Sequence, residues 1–428
     1  MYKLLILADD FTGALDTGVQ FAKKGISTIV TTNDEWDFSR YIEDTQVLVI
    51  DLETRHLEPQ EAYNKVYSIA TKCIQYGIQH IYKKTDSGLR GNIGSELVAL
   101  VDAFKESNLI FVPAFPKTQR TTVEGIHYIA KKRITKTEVG KDPFSPVKYD
   151  SVQKIIKEQS DVMTISVKVD EVDHYNYLEG NGNVYIIDSE REEDLQKIST
   201  TLKDLGTINL LAGCAGFAEY LPQLINLSSN YNQSFHLEQK MLFVSGSVND
   251  ITRRQIQYAR DKGYNIIRLS PAEKLSSNLK SLTSLKLKIK DIKDIYTSSG
   301  RVIVDGGGDN EMIEATRELA REIAIDDKDI RETIKVNIGK AINYLYKEGI
   351  KGTYIVIGGD TLKSVIDNMG FDTLVPITEI ESGITLSKIL GGEDTLYIVS
   401  KSGGFGEIDA LIRIGDYIKE HSEEIKVT

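Results

Sequence analysis

Residues 81–97 read IYKKTDSGLRGNIGSEL: an apolar lead-in, a loop crowded with charges and glycines, then the start of a helical pattern. "HIYKKT" has the composition of a buried strand, and "GSELVALVDAFKE" has the spacing of an amphipathic helix. The same strand, loop and helix order recurs around it. "KLLILAD", "STIVTT", "VLVIDLE" and "LIFVPAF" read as strands, and "GALDTGVQFAKKG" and "EAYNKVYSIATKCIQYG" as helices. Strands alternating with helices predict an α/β fold whose sheet is mostly parallel and flanked by helices. Such sheets bind ligands at the carboxyl ends of their strands, so the charged loop after residue 84 lies where a ligand belongs.

The alternation continues through "NVYIIDSE" and "INLLAGCAG" to about residue 225. It is then interrupted by the polar, aperiodic "INLSSNYNQSFHLEQ" and resumes with "KMLFVSGSVND", "NIIRLS", "RVIVDGGGD", "TYIVIGGDT" and "TLYIVSKSGGFG". A chain of 428 residues exceeds what one core usually serves. Two domains are therefore expected, 1–228 and 237–428, each a mostly parallel sheet flanked by helices, with an active site in the cleft between them. The lysine-rich stretch from Lys274 to Lys293 reads as a solvated surface segment.

Composition narrows the functions. The net charge of −11 argues against nucleic acid or an acidic membrane as partner, but leaves room for a local basic pocket. The two cysteines, Cys73 and Cys214, are far apart, lack metal-ligand spacing and read as buried fillers in a reducing compartment. "MYKLLILADD" turns acidic too early for a signal peptide, and no apolar run is long enough to span a bilayer. A cytoplasmic protein is expected.

The loops of the two halves differ in chemistry. In the second half "SGSVND" (245–250), "GGDT" (358–361) and "SKSGGFG" (400–406) each precede a helix. Small residues at helix N-termini expose backbone amides to phosphate oxygens, so together these loops suggest a nucleotide. Neither a Walker loop nor a G-x-G-x-x-G fingerprint occurs. Gly404 is expected to take a left-handed turn against phosphate, and "DGGGDN" (305–310) reads as a plain turn into a helix. In the first half the loops carry charge: Asp9 and Asp10, with Asp16 two helical turns on, Arg55, and then Lys84, Asp86, Ser87 and Arg90. Either Asp9 or Asp10 could cap the following helix. A guanidinium fork and an ammonium suit a small acid, and carboxylates suit its hydroxyls.

These motifs, in this order, resemble the four-carbon acid sugar kinases, which include threonate, erythronate and 3-oxo-tetronate kinases. The resemblance covers nearly the whole chain. "ADDFTGALDTG", "KKTDSGLRGNIG", "VPAFPKTQRTTVEGIHY" (112–128) and "KDPFSPV" (141–147) are similar to its first-half motifs, and "SGSVNDITRRQI", "GGDT" and "KSGGFG" to its second-half motifs. Gln119 departs from the usual glycine before Arg120, Asn249 from a frequent serine, and Ser382 and Thr385 from common prolines.

The resemblance implies a sugar-acid domain followed by an ATP domain, and transfer of the γ-phosphoryl to a terminal hydroxyl of a four-carbon acid. It implies substrate contacts from Asp10, Arg55, Lys84, Thr85, Asp86 and Ser87. It also implies ATP contacts from Ser247, Gly358, Gly359, Asp360, Thr361 and Gly404, with Asn249 still able to donate a hydrogen bond. Mg²⁺ is expected to bridge the phosphates with few protein ligands, and no metal-ligating residue is assigned. Asp10 is the favoured base and Asp86 the second, while Lys84 or Arg90 steadies the substrate carboxylate or the moving phosphoryl group. Homodimer assembly is left open. The rival functions are a sugar-acid sensor without turnover and a nicotinamide-dependent dehydrogenase.

Overall fold

The computed structural model describes residues 2–39, 42, 44–105, 107–142, 145–179, 182–206, 209–229, 235–276, 283–391 and 395–422. The chain divides into two compact units, Met1–Asn232 and Gln233–Thr428. Residues 230–234 of the expected linker lie outside the described residues, as do Pro143 and Phe144 of the "KDPFSPV" motif and residues 277–282 of the lysine-rich stretch.

In the first unit the strands are β1 (Leu4–Ala8), β2 (Thr28–Thr31), β3 (Val47–Asp51), β4 (His80–Lys84), β5 (Leu109–Val112), β6 (Arg120–Val123), β7 (Ile126–Ile129), β8 (Lys132–Arg133), β9 (Thr164–Val167), β10 (Val184–Ile187) and β11 (Leu210–Gly213). The main sheet runs β2-β3-β1-β4-β11-β5-β10-β9. Every pairing in that order is parallel. Its central strands are buried along their whole length, as continuous apolar runs such as Leu4–Leu7 require of a sheet covered on both faces. Strands β6, β7 and β8 form a separate antiparallel sheet that the sequence did not suggest. It is entered through Gln119, held at φ +58°, a left-handed conformation that favours the glycine usual there in the similar family.

The second unit contains β12 (Met241–Ser245), β13 (Ile266–Arg268), β14 (Arg301–Asp305), β15 (Thr353–Ile357), β16 (Thr373–Glu381), β17 (Ile384–Ile389) and β18 (Tyr397–Lys401), ordered β13-β14-β12-β15-β18-β17-β16. The β13-β14-β12-β15-β18 part is parallel, and β17 runs antiparallel to both β18 and β16. The "EIESGIT" segment is therefore the turn of a hairpin. The stretch from Lys274 to Lys293 is not a solvated segment. Lys274 is only 2% exposed, and the helix Thr283–Ser299 buries Leu285, Ile289, Ile292 and Tyr296. Their spacing is that of an apolar helical stripe, which the intervening lysines obscure.

Each sheet begins at an inner strand, builds to one side and then crosses to the other. In the first unit the chain leaves β1 for β2 and β3 on one side and then crosses to β4 on the other. In the second it leaves β12 for β13 and β14 and then crosses to β15. Open parallel sheets bind ligands at the strand carboxyl ends beside such a reversal, which falls between β1 and β4 in one unit and between β12 and β15 in the other.

Packing at the centre of the first sheet is tight enough to test. A Cβ on Gly213 would collide with the Val112 carbonyl and lie 2.6 Å from the Tyr82 hydroxyl oxygen. Gly213→Ala is expected to cost about 1–3 kcal/mol by overpacking, measured as a shift in the urea midpoint. An unchanged midpoint would mean that the β5-β11-β4 region is looser than described.

Candidate active site

Register brings the charges of the first unit together. Ala8 pairs with Asp51 on one side and with Lys84 on the other, so the chain leaves β3, β1 and β4 at one level. Asp9 follows directly and is buried. Arg55 Nε donates to Asp9 Oδ2 at 2.8 Å, and its Nη2 lies 2.7 Å from both Asp9 Oδ2 and Asp10 Oδ1. Arg55 Nη1 donates to Asp10 Oδ2 at 3.0 Å. Lys84 Nζ sits 3.2 Å from Asp9 Oδ1 and 3.6 Å from Asp10 Oδ1. Burial by itself would raise the Asp9 carboxyl, but Arg55, then Lys84 and Lys83, outweigh it and hold Asp9 at about 2.

Asp10 caps the helix Phe11–Ala22, accepting from the Gly13 amide at 3.1 Å. A Cβ at Gly13 would run into Lys84 Nζ and sit 2.5 Å from Asp10 Oδ1, so the glycine is what lets the ammonium reach the carboxylates. Asp86 is held by Arg90 through a fork, Nε to Oδ2 at 2.8 Å and Nη2 to Oδ1 at 3.0 Å, and by the amides of Gly88 and Arg90. Burial would raise the Asp86 carboxyl, but Arg90 and Arg55 drive it well below the usual carboxylate range. Arg90 Nη1 also donates to Asp142 Oδ2 at 3.2 Å, which draws the "KDPFSPV" motif to the site. Side-chain exposure separates the carboxylates: 25% for Asp10 against 2% for Asp9 and 9% for Asp86.

The sequence pairs Lys83 with Lys84, but the structure separates their roles. Lys83 is fully buried and meets Glu96 of the helix Ile93–Ala103 at 3.2 Å, while Thr54 donates to the same carboxylate. Consecutive strand residues point to opposite faces, so the pair could have been read this way. Ser87 presents its carbonyl to the buried His127 Nε2 at 3.1 Å. Burial pushes that imidazole down to about 4. Thr85 is buried with its hydroxyl unpaired, as is one oxygen of Asp51. Burial, Glu53 and Asp10 push the Asp51 carboxyl up. Asp16 is half-buried on the helix Phe11–Ala22. Arg55, expected to grip a substrate acid, directs its fork at Asp9 and Asp10.

In the second unit Asp305, Ser245, Ile357 and Lys401 lie in one row across β14, β12, β15 and β18. The loops that follow converge. A Cβ on Gly307 would strike the Ser247 carbonyl, one on Gly246 the Thr361 hydroxyl, and one on Gly403 would sit 2.8 Å from Ser247 Oγ. Gly358, at φ +102°, precedes the helix Gly359–Met369 and gives it no side-chain cap. Asn249 caps the helix Asp250–Asp261 through Ile251 N at 2.9 Å. Asp360 accepts from Arg331 Nε at 3.0 Å.

"DGGGDN" is more than a plain turn. Asp305 Oδ1 accepts from Gly307 N at 3.0 Å and Gly308 N at 3.1 Å, folding the glycines onto Ser247. Gly404 does not take a left-handed φ, and a Cβ there would find Asn249 Nδ2 only at 3.8 Å. Its lack of a side chain thus leaves open space and relieves no strain. Among the described residues, no group of three or more His, Cys, Asp or Glu side chains is placed to hold a metal ion, and no helix is long and apolar enough to cross a membrane.

Charged residues at one switch point and small residues at the other are matched by separate family descriptions. Residues 4–221 match a sugar-binding N-terminal domain, and residues 242–411 match a nucleotide-binding C-terminal domain. The chain belongs to the four-carbon acid sugar kinase family. Among its relatives, a D-threonate kinase of Salmonella typhimurium is 27% identical, over 98% of this chain and 99% of its own. A D-erythronate kinase of Heliobacterium modesticaldum is 25% identical, over 98% and 97%. The fold is shared with the crystal structure of Haemophilus influenzae protein HI1011, at a TM-score of 0.74 and 19% identity over 98% of this chain and all of that one. This kinase therefore joins a sugar-binding and a nucleotide-binding domain, and the relatives matched over nearly its whole length are kinases of four-carbon acids, not dehydrogenases.

The buried carboxylate gives the first unit an acid-sensitive stability. A carboxyl held at about 2, against an ordinary 3.8, stabilises the fold above pH 4. That contribution is lost as pH falls from about 4 to about 2. Asp9→Asn is expected to cost about 3 kcal/mol or more at neutral pH, because Arg55 and Lys84 lose their partner. It should also flatten the fall in urea midpoint between pH 4 and 2. Parallel curves for wild type and variant would remove Asp9 as the source.

Proposed function

We propose that the protein transfers the γ-phosphoryl group of ATP to the terminal hydroxyl of a four-carbon sugar acid, yielding the 4-phosphate and ADP. The observation that carries this reading is the carboxylate cluster at the β1/β4 switch point, in which Asp10, although paired with Arg55, keeps 25% of its side chain exposed while Asp9 and Asp86 are buried. Relatives named for D-threonate, D-erythronate and 3-oxo-tetronate supply the substrate class.

The acid lies against Asp10, Arg55, Lys84, Thr85, Asp86, Ser87 and Arg90. The nucleotide lies against Ser247, Asn249, Gly358, Gly359, Asp360, Thr361 and Gly404. The substrate hydroxyl oxygen attacks the γ-phosphorus, the bond from phosphorus to the β–γ bridging oxygen breaks, and the hydroxyl proton passes to Asp10. Such a transfer depends on positioning and charge neutralisation more than on covalent chemistry. Arg55 fixes Asp10 and Lys84 lies beside it, so the base is held in place before substrate arrives. Asp86, bound bidentate by Arg90 and held well below the usual range, is a poor proton acceptor and serves to orient. Mg²⁺ would supply neutralising charge to the phosphates. The cradle, built of amides and hydroxyls with Asp360 paired to Arg331, fits an ion that would be carried in by the nucleotide.

ADP release measured across the stereoisomers of threonate, erythronate and 3-oxo-tetronate tests the reading. Turnover with at least one acid is expected, and nucleotide binding without turnover on any of them would overturn the substrate class. Asp10→Asn keeps the shape of the side chain but cannot take the proton. Its kcat should fall about 10²-fold or more, the scale of general base catalysis, while nucleotide affinity stays put. A loss confined to KM would mean that Asp10 only binds a hydroxyl.

Gly404→Val should fold as wild type, since the space beside Gly404 is open, yet lose nucleotide affinity far more than acid affinity. Equal losses by calorimetry would remove Gly404 from the phosphate site.

A further inference from the structure

The nucleotide cradle contains a buried cation to which no role has been given. Lys401 ends β18, in the row with Ser245 and Asp305, and is only 1% exposed. Its carbonyl accepts from Gly358 N at 2.9 Å, so the strand end is tied to the "GGDT" loop. The loop after it, Ser402–Gly404, is tied to the helix Asp250–Asp261 by Thr252 Oγ1 donating to the Gly403 carbonyl at 2.7 Å. Lys401 thus joins two of the loops read as phosphate ligands, through its carbonyl to Gly358 and its ammonium to Ser402. The ammonium donates to the Ser402 carbonyl at 3.1 Å, which accounts for one of its three N–H groups.

Charge balance distinguishes Lys401 from its nearest rival. Lys274 is as deeply buried, but it lies in the field of Asp305 and Asp309. Lys401 feels one carboxylate, Glu381 at the end of β16. That carboxylate is already held by Arg413, Nε to Oε1 at 2.5 Å and Nη2 to Oε2 at 2.8 Å. The helix Asp250–Asp261 brings Thr252 and Gln255 to the same loop, and both are neutral. The helix Gly359–Met369 brings Asp360, which is paired with Arg331. Among the described residues no carboxylate is left to serve this ammonium alone, and a nucleotide phosphate would supply that counter-ion.

We propose that Lys401 is the phosphate-anchoring lysine of this kinase, its buried ammonium taking the nucleotide's phosphate as counter-ion across the side-chain-free Gly403–Gly404 loop. The proposal rests on the nucleotide site assigned above. It also predicts proton uptake. Burial pushes the free ammonium down to about 8, against a smaller opposing pull from Glu381. A bound phosphate raises it again, so nucleotide binding above pH 8 takes up a proton and weakens as pH rises further.

Calorimetric titration with ADP, in buffers of different ionisation enthalpy at pH 8.5, should show uptake of a fraction of a proton by the wild-type protein. Lys401→Met, an apolar replacement of similar length, should fold and weaken ADP about 10- to 100-fold, the worth of a charge-assisted hydrogen bond. It should also abolish the proton uptake and leave the acid substrate's affinity unchanged. Lys262→Met, at the exposed far end of the helix Asp250–Asp261, is the control and should keep ADP affinity within about twofold. If wild type binds ADP without proton uptake, or if Lys401→Met binds as wild type, the lysine assignment is wrong and the nucleotide site stands. If wild type does not bind ADP at all, the underlying site assignment is wrong. Should Lys401→Met fail to fold, Lys401→Arg decides: its guanidinium stays charged at pH 8.5, so ADP should bind without the wild-type proton uptake, and uptake equal to wild type would overturn the assignment.

Discussion

Asp9 stays ionised inside the first unit because Arg55 and Lys84 reach it from the two neighbouring strand ends. The rest of the site depends on that balance. A buried carboxylate without cations would take up a proton, and two buried cations without the carboxylate would repel each other. Because the three are held together, Arg55 has a fixed guanidinium plane, and its Nη atoms can also hold Asp10. Asp10 in turn caps the helix Phe11–Ala22, so the orientation of that helix and of the accessible carboxylate are set by the same contacts. The glycine at position 13 belongs to this arrangement, since any side chain there would push Lys84 away.

The second unit solves a different problem with the same topology. Its switch point carries small residues in place of charges, and its loops approach one another until a single added carbon would make them clash. Backbone amides at a helix N-terminus attract phosphate through partial charges that need no counter-ion when the site is empty. A site built of full charges must be neutralised internally, as the first unit's is. A site built of amides can wait open. The buried ammonium of Lys401 is an exception among these loops, and burial rather than a carboxylate partner keeps its charge in check.

Much of this was legible in the sequence because it depends on local order. Strand, loop and helix alternate with clear periods, and residues just after a strand must lie at the carboxyl edge, so Asp10, Arg55, Lys84 and Asp86 could be placed at one edge before any coordinates. What was not legible depends on partners far along the chain. That Arg55 serves Asp9 and Asp10, that Glu96 waits for Lys83, and that Asp142 reaches Arg90 are contacts between residues with no local relation. The antiparallel hairpin of β16 and β17 and the small sheet of β6, β7 and β8 were missed because strands of mixed polarity carry a weak period, whatever their length. The run from Lys274 misled for the opposite reason. Its lysines dominate the composition, although the apolar stripe beneath them decides where the helix lies. Gly404 was misjudged because composition cannot distinguish a glycine chosen for φ from one chosen for space.

The balance of charge around Asp10 also bears on how a sugar acid would be selected. Arg55, Lys84 and Arg90 already face Asp9, Asp10 and Asp86, so an incoming carboxylate adds one negative charge to a cluster near neutrality. Attraction to the acid group alone would then be modest, because each cation is shared rather than newly claimed. Hydroxyls face no such competition. A carboxylate that accepts from Arg or Lys keeps lone pairs for another donor, and Asp10 keeps the largest exposed surface of the three. Under the kinase reading, discrimination among four-carbon acids therefore falls on the hydroxyl pattern. On the proposed assignment Asp10 and Asp86 would read that pattern, and a missing or inverted hydroxyl would leave a carboxylate oxygen desolvated without a donor.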